Sequence, residues 1–308
     1  MGPRPHPLAL PDWMAAVDGR RPLSELAIPG THDSAARHGR LRSRTQTMDV
    51  PAQLDAGIRF LDIRLRDVAG VFRAYHGRVD ERAEFEADIL DPVRGFLARH
   101  PGESVIMSIK QEDRVDPAGF ARDFERLVAR HPRTFHPGPW LPDLAAARAR
   151  IVVLRRFAGP GVGIPAPPEL WPSRATFRIA TPHGILDVED EWEVPGPLPA
   201  QMNAKWAAVA RHLDAAAEAS GSWDLTFASG TGDFVHPRAI AAGMRFVPGI
   251  NQRLLDYLSA HGRPRRLGTL VMDFPELPAG RLIRGIVEAN HPAPADVDSP
   301  AKPDKLLP

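Results

Sequence analysis

Short apolar runs alternate along the chain with longer segments in which apolar residues return at helical spacing. The short runs read as eight strands, at 23–30 (LSELAIPG), 58–65 (IRFLDIRL), 71–77 (VFRAYHG), 104–112 (SVIMSIKQE), 150–157 (RIVVLRRF), 185–192 (ILDVEDEW), 223–230 (WDLTFASG) and 267–274 (LGTLVMDF). Several are apolar on successive positions, as expected of strands covered on both faces. Helices are predicted over 84–100, with a proline interruption, and over 117–131, where Phe120, Phe124, Leu127 and Val128 share one side. A third covers 200–219, with Met202, Trp206, Val209 and Leu213 on its apolar stripe, and a fourth runs from 249 to a stop at Gly262.

Alternating strands and helices predict an α/β fold, a single (β/α) barrel occupying residues 1–290. A doubly wound sheet is the alternative, weakened because no glycine-rich dinucleotide or phosphate loop follows the first strand. The Pro- and Gly-rich stretch 158–173 reads as a long irregular loop, and the Pro-rich end 291–308 as a disordered tail.

The 308 residues are 43% hydrophobic, enough for a sizeable core. Lys and Arg number 39 against 38 Asp and Glu, so bulk charge does not point to nucleic acid. The absence of cysteine rules out disulfides, thiol nucleophiles and Cys-zinc sites. No apolar run approaches the roughly 20 residues of a membrane-spanning helix, and the start MGPRPHPLALPDWM lacks the apolar centre of a signal peptide. That leaves a cytoplasmic protein or one whose signal has been removed.

The stretch AIPGTHDSA (27–35) carries the first chemical signal: an apolar run meets Pro29-Gly30, read as a turn, and then Thr31, His32, Asp33 and Ser34. Helix capping would account for three of these side chains. Further polar residues, however, fall at other strand ends: Asp62 and Arg64 on the second, His76 on the third, Lys110 on the fourth, Arg155 and Arg156 on the fifth, Asp190 and Trp192 on the sixth, and Asp273 on the last. Barrel active sites are built at the carboxyl ends of several strands. Two histidines with neighbouring carboxylates can take a proton from a hydroxyl and return one to a leaving oxygen. Fixed cations stabilise charge on a transferred group. This is equipment for cleaving a phosphodiester by an internal hydroxyl. A metallophosphodiesterase would place several carboxylates where Arg64 and Lys110 stand.

At these residues the chain resembles the bacterial phosphatidylinositol-specific phospholipases C, of the X-domain family. The resemblance runs through AIPGTHDSA, QLDAGIRFLDIRLRD, AYHG, VRGFLARHPGESVIMSIKQE, IVVLRRF, VEDEWEV and LVMDF, in the family's order over roughly residues 24–290. It implies a distorted TIM barrel that splits phosphatidylinositol into diacylglycerol and inositol 1,2-cyclic phosphate. His32 then matches the general base, Asp273 its orienting carboxylate, His76 the general acid assisted by Asp33, and Arg64 the cation on the phosphate. Lys110, Arg156 and Asp190 match residues that hold the inositol, with Asp62 grouped among the substrate-binding set. Trp192 stands where the family has a tyrosine stacked on the ring, so the flat face is kept and the phenol lost. The pattern is the metal-free bacterial one, with no cofactor expected, in contrast to relatives that hold calcium.

The resemblance also implies a secreted, monomeric protein that binds a membrane surface transiently, with no nucleic acid partner; a cytoplasmic protein is the alternative. Arg37, Arg40, Arg42 and Arg44 read as a solvated basic loop or, alternatively, as a patch that draws the barrel mouth to anionic lipid, with Phe234, Val235 and Phe246 inserting shallowly from the opposite rim. Two other functions compete: a glycerophosphodiesterase-type or other phosphodiesterase on the same barrel, and a catalytically silent inositol-lipid binder.

Overall fold

The computed structural model describes residues 9–113, 115–193, 196–232 and 235–292, so the tail expected at 291–308 lies almost wholly outside the described residues. Thirteen strands occur among them: β1 (Ile28–Thr31), β2 (Phe60–Val68), β3 (Val71–His76), β4 (Val79–Glu84), β5 (Val105–Gln111), β6 (Ile151–Arg156), β7 (Ile164–Pro165), β8 (Ala175–Thr181), β9 (Gly184–Asp190), β10 (Ser222–Phe227), β11 (Gly243–Met244), β12 (Val247–Pro248) and β13 (Thr269–Met272). The α-helices are α1 (Val50–Asp55), α2 (Asp91–Arg99), α3 (Pro117–Arg130), α4 (Leu144–Ala147), α5 (Leu198–Glu218), α6 (Pro237–Ala242), α7 (Ile250–Ala260) and α8 (Arg281–Glu288). None is long and apolar enough to cross a membrane.

The main sheet runs β7-β6-β5-β2-β1-β13-β10-β9-β8 and curls into a barrel. Its neighbours are parallel from β7 to β9, and β8 is antiparallel to β9. No pairing joins β7 to β8 among the described residues, so the barrel has an open seam there. A doubly wound sheet is thereby excluded. The four predicted helices are present as α2, α3, α5 and α7, the first extended backwards by a π-turn over Phe85–Leu90.

Two readings need correction. The third predicted strand, β3, is not a parallel stave. β2 overshoots the barrel and turns at Ala69-Gly70, and β3 returns antiparallel to it, with β5 as the next stave. Pro29-Gly30 is likewise not a turn but the middle of β1. A Cβ on Gly30 would meet the Cβ of Phe60 at 2.8 Å, so glycine there lets β1 and β2 close up.

Side chains alternate between the barrel lumen and the surrounding helices. The outward set, including Leu61, Ile63, Met107, Ile109 and Val153, packs with the helices. The inward set, including Ile28, Phe60, Ile106, Val152, Leu154, Val188, Leu225 and Val271, fills the lumen. Towards the carboxyl ends the inward positions change character. Phe60 gives way to Asp62 and Arg64, Ile106 to Ser108 and Lys110, Leu154 to Arg156, Val188 to Asp190, and Val271 to Asp273. The apolar floor and the charged mouth thus occupy the same face of the same strands.

Candidate active site

A pocket of about 330 Å³ opens at this charged end, within the range that holds a small ligand. Its lining includes His32, Arg64, His76, Lys110, Arg156, Asp190, Trp192 and Asp273. Arg64, Lys110 and Arg156 are register partners on three adjacent strands, so three cations stand in one row. Side by side they repel one another, and the carboxylates around them make the row tolerable.

Asp62, in the next inward layer down, accepts from Arg64 Nη2 at 3.2 Å and from Arg156 Nη1 at 3.3 Å. It also accepts from Ser108 Oγ at 3.2 Å and from the backbone N–H of Asp33 at 3.1 Å. Burial alone would raise its pKa, but Arg64 and Arg156 overcome this and hold Asp62 well below the usual carboxylate range. This corrects its placement among the substrate-binding residues: Asp62 is fully buried and its oxygens are already used by the residues above it.

The two histidines are built differently. His32 follows β1, and its Nδ1 lies 2.8 Å from Asp273 Oδ1, at the end of β13. Its Nε2 is 2.6 Å from Arg64 Nη2. Arginine only donates, so this Nε2 carries a lone pair and Nδ1–H points to Asp273. His76 arrives on β3, which descends from the hairpin tip to the mouth. Its Nδ1 is 2.6 Å from Asp33 Oδ2, a close ionic approach without hydrogen-bond geometry. Burial works against a charged His76, but Asp33 and then Glu112 outweigh burial and Arg64, leaving its pKa above the ordinary value.

Glu112, just past β5, was not singled out from the sequence. Its Oε2 pairs with Lys110 Nζ at 2.7 Å, and its Oε1 accepts from Gly77 N–H at 2.8 Å, so it ties the His76 turn to β5. Burial and the nearby Arg64 lower the pKa of Lys110, with Glu112 opposing them. Trp171 was missed too. It comes from the irregular stretch 158–173, which holds β7 and a short 3-10 turn, and the Arg156 guanidinium lies 3.7 Å from its ring centre. Its Nε1–H donates to Asp190 at 2.9 Å. Nothing in the local sequence pattern marks this residue as different from Trp140 or Trp192. Arg155, facing outward, donates to Gly161 O and plays no part in the pocket.

The predicted apolar rim changes. Phe246 is 88% exposed, but Val235 is buried and cannot insert, while Phe234 lies outside the described residues. Leu41, Val115, Leu170 and Met244 are further exposed apolar residues. All four sit on connections that follow the carboxyl ends of strands, as the pocket does. Arg40, Arg42 and Arg44 are exposed and Arg37 is half-buried.

Residues 19–154, from before β1 into β6, match the family model PI-PLC X. The 1-phosphatidylinositol phosphodiesterase of Listeria monocytogenes is 26% identical over 291 residues, covering 90% of this chain and 84% of that protein. The protein of the same name from Staphylococcus aureus is 26% identical, over 85% of this chain and 88% of its own. The likeness extends to whole structures. A phosphatidylinositol-specific phospholipase C mutant from S. aureus superposes with a TM-score of 0.78 at 25% identity, over 92% of this chain and 98% of that one. The L. monocytogenes enzyme gives 0.73 at 25%, over 92% and 99%. The matched stretch 19–154 holds both histidines and Arg64, and the rest of the barrel supplies Arg156, Asp190 and Asp273.

Proposed function

We propose that this chain is a phosphatidylinositol-specific phospholipase C that works without a metal ion. It releases diacylglycerol and inositol 1,2-cyclic phosphate. The observation that carries this is the pair of imidazoles on one pocket, His32 with a lone pair towards the cavity and His76 favoured in its charged form, with Arg64 beside both. His32 Nε2 takes the proton of the inositol 2-hydroxyl, and the freed oxygen attacks phosphorus. The bond from phosphorus to the glycerol oxygen breaks as His76 gives that oxygen a proton. Asp273 steadies the imidazolium formed at His32, Asp33 favours the charged form of His76 beforehand, and Arg64 meets the charge gathering on the phosphate oxygens. Lys110, Arg156, Asp190 and Trp192 hold the inositol ring.

Positive charge at the phosphate comes from a cation or a metal ion. Arg64 and Lys110 stand where an ion would need ligands, and the carboxylates nearest them are already paired. The three-residue group Asp187, His212 and Asp224 lies on the helix side of the sheet, and its carboxylates pair with Arg178 and Arg266. These residues do not fit a calcium ion in the mouth, and no step is routed through one.

The apolar residues at the mouth, with the exposed Arg40 and Arg44, support transient docking on an anionic bilayer as a monomer. The S. aureus phosphatidylinositol-specific phospholipase C, similar to this chain in structure, binds membranes. Phosphorus NMR of the product formed from phosphatidylinositol tests the reading. A cyclic phosphodiester is expected. Glycerol phosphate would mean a glycerophosphodiesterase, and unchanged lipid a silent binder.

A further inference from the structure

From the placement of two buried amides we infer that Gln46 and Asn251 are positioning residues that set the geometry of the His32–Asp273 pair. The inference rests on the reading of His32 as the base. Gln46 Nε2 donates to the carbonyl of His32 at 2.8 Å and to that of Met272 at 3.0 Å. Those carbonyls belong to the ends of neighbouring staves, so one amide links the backbone of the base to the residue before its carboxylate partner. Asn251 Nδ2, at the start of α7, donates to the carbonyls of Asp273 and Phe274, both at 3.0 Å. Each amide faces two acceptors, which fixes its NH₂ end towards them.

The backbone explains why such links are needed. Both residues that follow the pair, Asp33 at φ 41° and Phe274 at φ 45°, lie in the left-handed region that side chains other than glycine avoid. Strand hydrogen bonding stops at these turns: His32 N–H still donates to Met272 O, and Phe274 N–H donates to Thr45 O, next to Gln46. The two amides take up the carbonyls of His32 and Asp273, and add a second donor to those of Met272 and Phe274, which also accept from the backbone N–H of His32 and Leu277. Both side chains are buried, and among the described residues neither Oε1 of Gln46 nor Oδ1 of Asn251 has a partner, so each side chain acts by donation to its two carbonyls. Neither touches the pocket. The headgroup residues Lys110, Arg156 and Asp190 sit on β5, β6 and β9, away from both amides.

The test compares wild type with Gln46→Met and Asn251→Leu, which keep bulk and remove the donors. Thermal melts establish which variants fold, and Gln46→Asn, which keeps the amide but withdraws it by one methylene, replaces a variant that does not. Expected is a loss of kcat of about 10–100-fold, since misplacement by about 1 Å costs that order. KM and competitive inhibition by free inositol should stay within about two-fold. The low-field proton resonance of His32 Nδ1–H, identified by its loss in His32→Ala, should shift or broaden. That resonance needs no substrate, so it reads the dyad even if phosphatidylinositol is not the substrate. A folded variant with wild-type kcat overturns the inference. So does an unmoved Nδ1–H resonance accompanying losses shared between kcat and KM.

Discussion

Replacing Arg64 by alanine should cost both chemistry and stability, and the structure separates the two. On the proposed reading its guanidinium faces a phosphate oxygen at about 4 Å. At an effective dielectric constant near 20 such a contact is worth about 4 kcal/mol, and loss of a preorganised donor typically slows turnover about 10²–10³-fold. The stability cost comes from beneath. Arg64 is one of two guanidinium partners of fully buried Asp62. Stripping a buried ion of its partner outright costs about 3–5 kcal/mol. Asp62 keeps Arg156, Ser108 and the Asp33 N–H, so about half of that, roughly 2 kcal/mol, is expected. In a chain of this size that is a drop of about 3 °C in Tm.

The pH dependence gives a second check. The folded pKa of Asp62 is depressed, so its ion pairs stabilise the fold above the unfolded value, near 3.9, and that stability drains away as pH falls below it. The gap in Tm between wild type and Arg64→Ala should narrow there. Arg64→Lys should recover part of the stability and little turnover, because one ammonium cannot meet His32, Asp33, Asp62 and a phosphate as a planar fork does. The assay is phosphatidylinositol turnover in excess chelator beside thermal melts from pH 3 to pH 7. Turnover of Arg64→Ala within about five-fold of wild type would refute the placement. So would activity lost to chelator and restored by calcium.

Three other outcomes follow from the same geometry. Asp33→Asn removes the charge that holds up the pKa of His76, leaving burial and Arg64 to push it down, so the basic limb of the kcat–pH profile should move to lower pH. His32→Ala and His76→Ala should each lose about 10²–10⁴-fold, and a substrate whose leaving group needs no proton should rescue only the second. Replacing Arg40 and Arg44 by Gln should weaken low-salt binding to anionic vesicles roughly 30-fold, at about 1 kcal/mol per residue, and Phe246→Ser should weaken it in a way salt does not mask; vesicle sedimentation reads both.

The barrel was legible because short continuous apolar runs and helical spacing are local signals, and every predicted strand exists. What local pattern could not carry was the direction of a strand. VFRAYHG reads as a stave, but β2 is nine residues long and overshoots the sheet, so the chain turns back through a hairpin. His76 therefore reaches the mouth from above, not from a stave end. Asp62 and Arg64 were both visible, and two residues apart on one strand they share a face. Their depth was not, because burial depends on what the neighbouring staves supply at the same level, here Ser108 and Leu154. Trp171 and Asn251 were invisible for a related reason. Each acts through contacts made across the fold, from a loop or helix whose own sequence shows only a common residue.

The site contains two histidine–aspartate pairs that look alike in sequence, yet acid–base chemistry needs them in opposite states. Arg64 divides them. It donates to Nε2 of His32, and a nitrogen that accepts from a guanidinium cannot also carry a proton. On the proposed reading, substrate binding draws the guanidinium to the phosphate and uncovers that lone pair when there is a hydroxyl to deprotonate. His76 has no such donor at its Nδ1. It faces Asp33 and lies near Glu112, and both favour the charged ring. Asp33 and Asp62 neutralise Arg64 without competing for the phosphate, because one lies behind it and the other below. On the proposed reading the same side chain holds the base unprotonated and waits for the phosphate, while Asp33 and Glu112 favour the charged acid against it, which ties the antiparallel hairpin that delivers His76 to the staves that deliver His32 and Asp273.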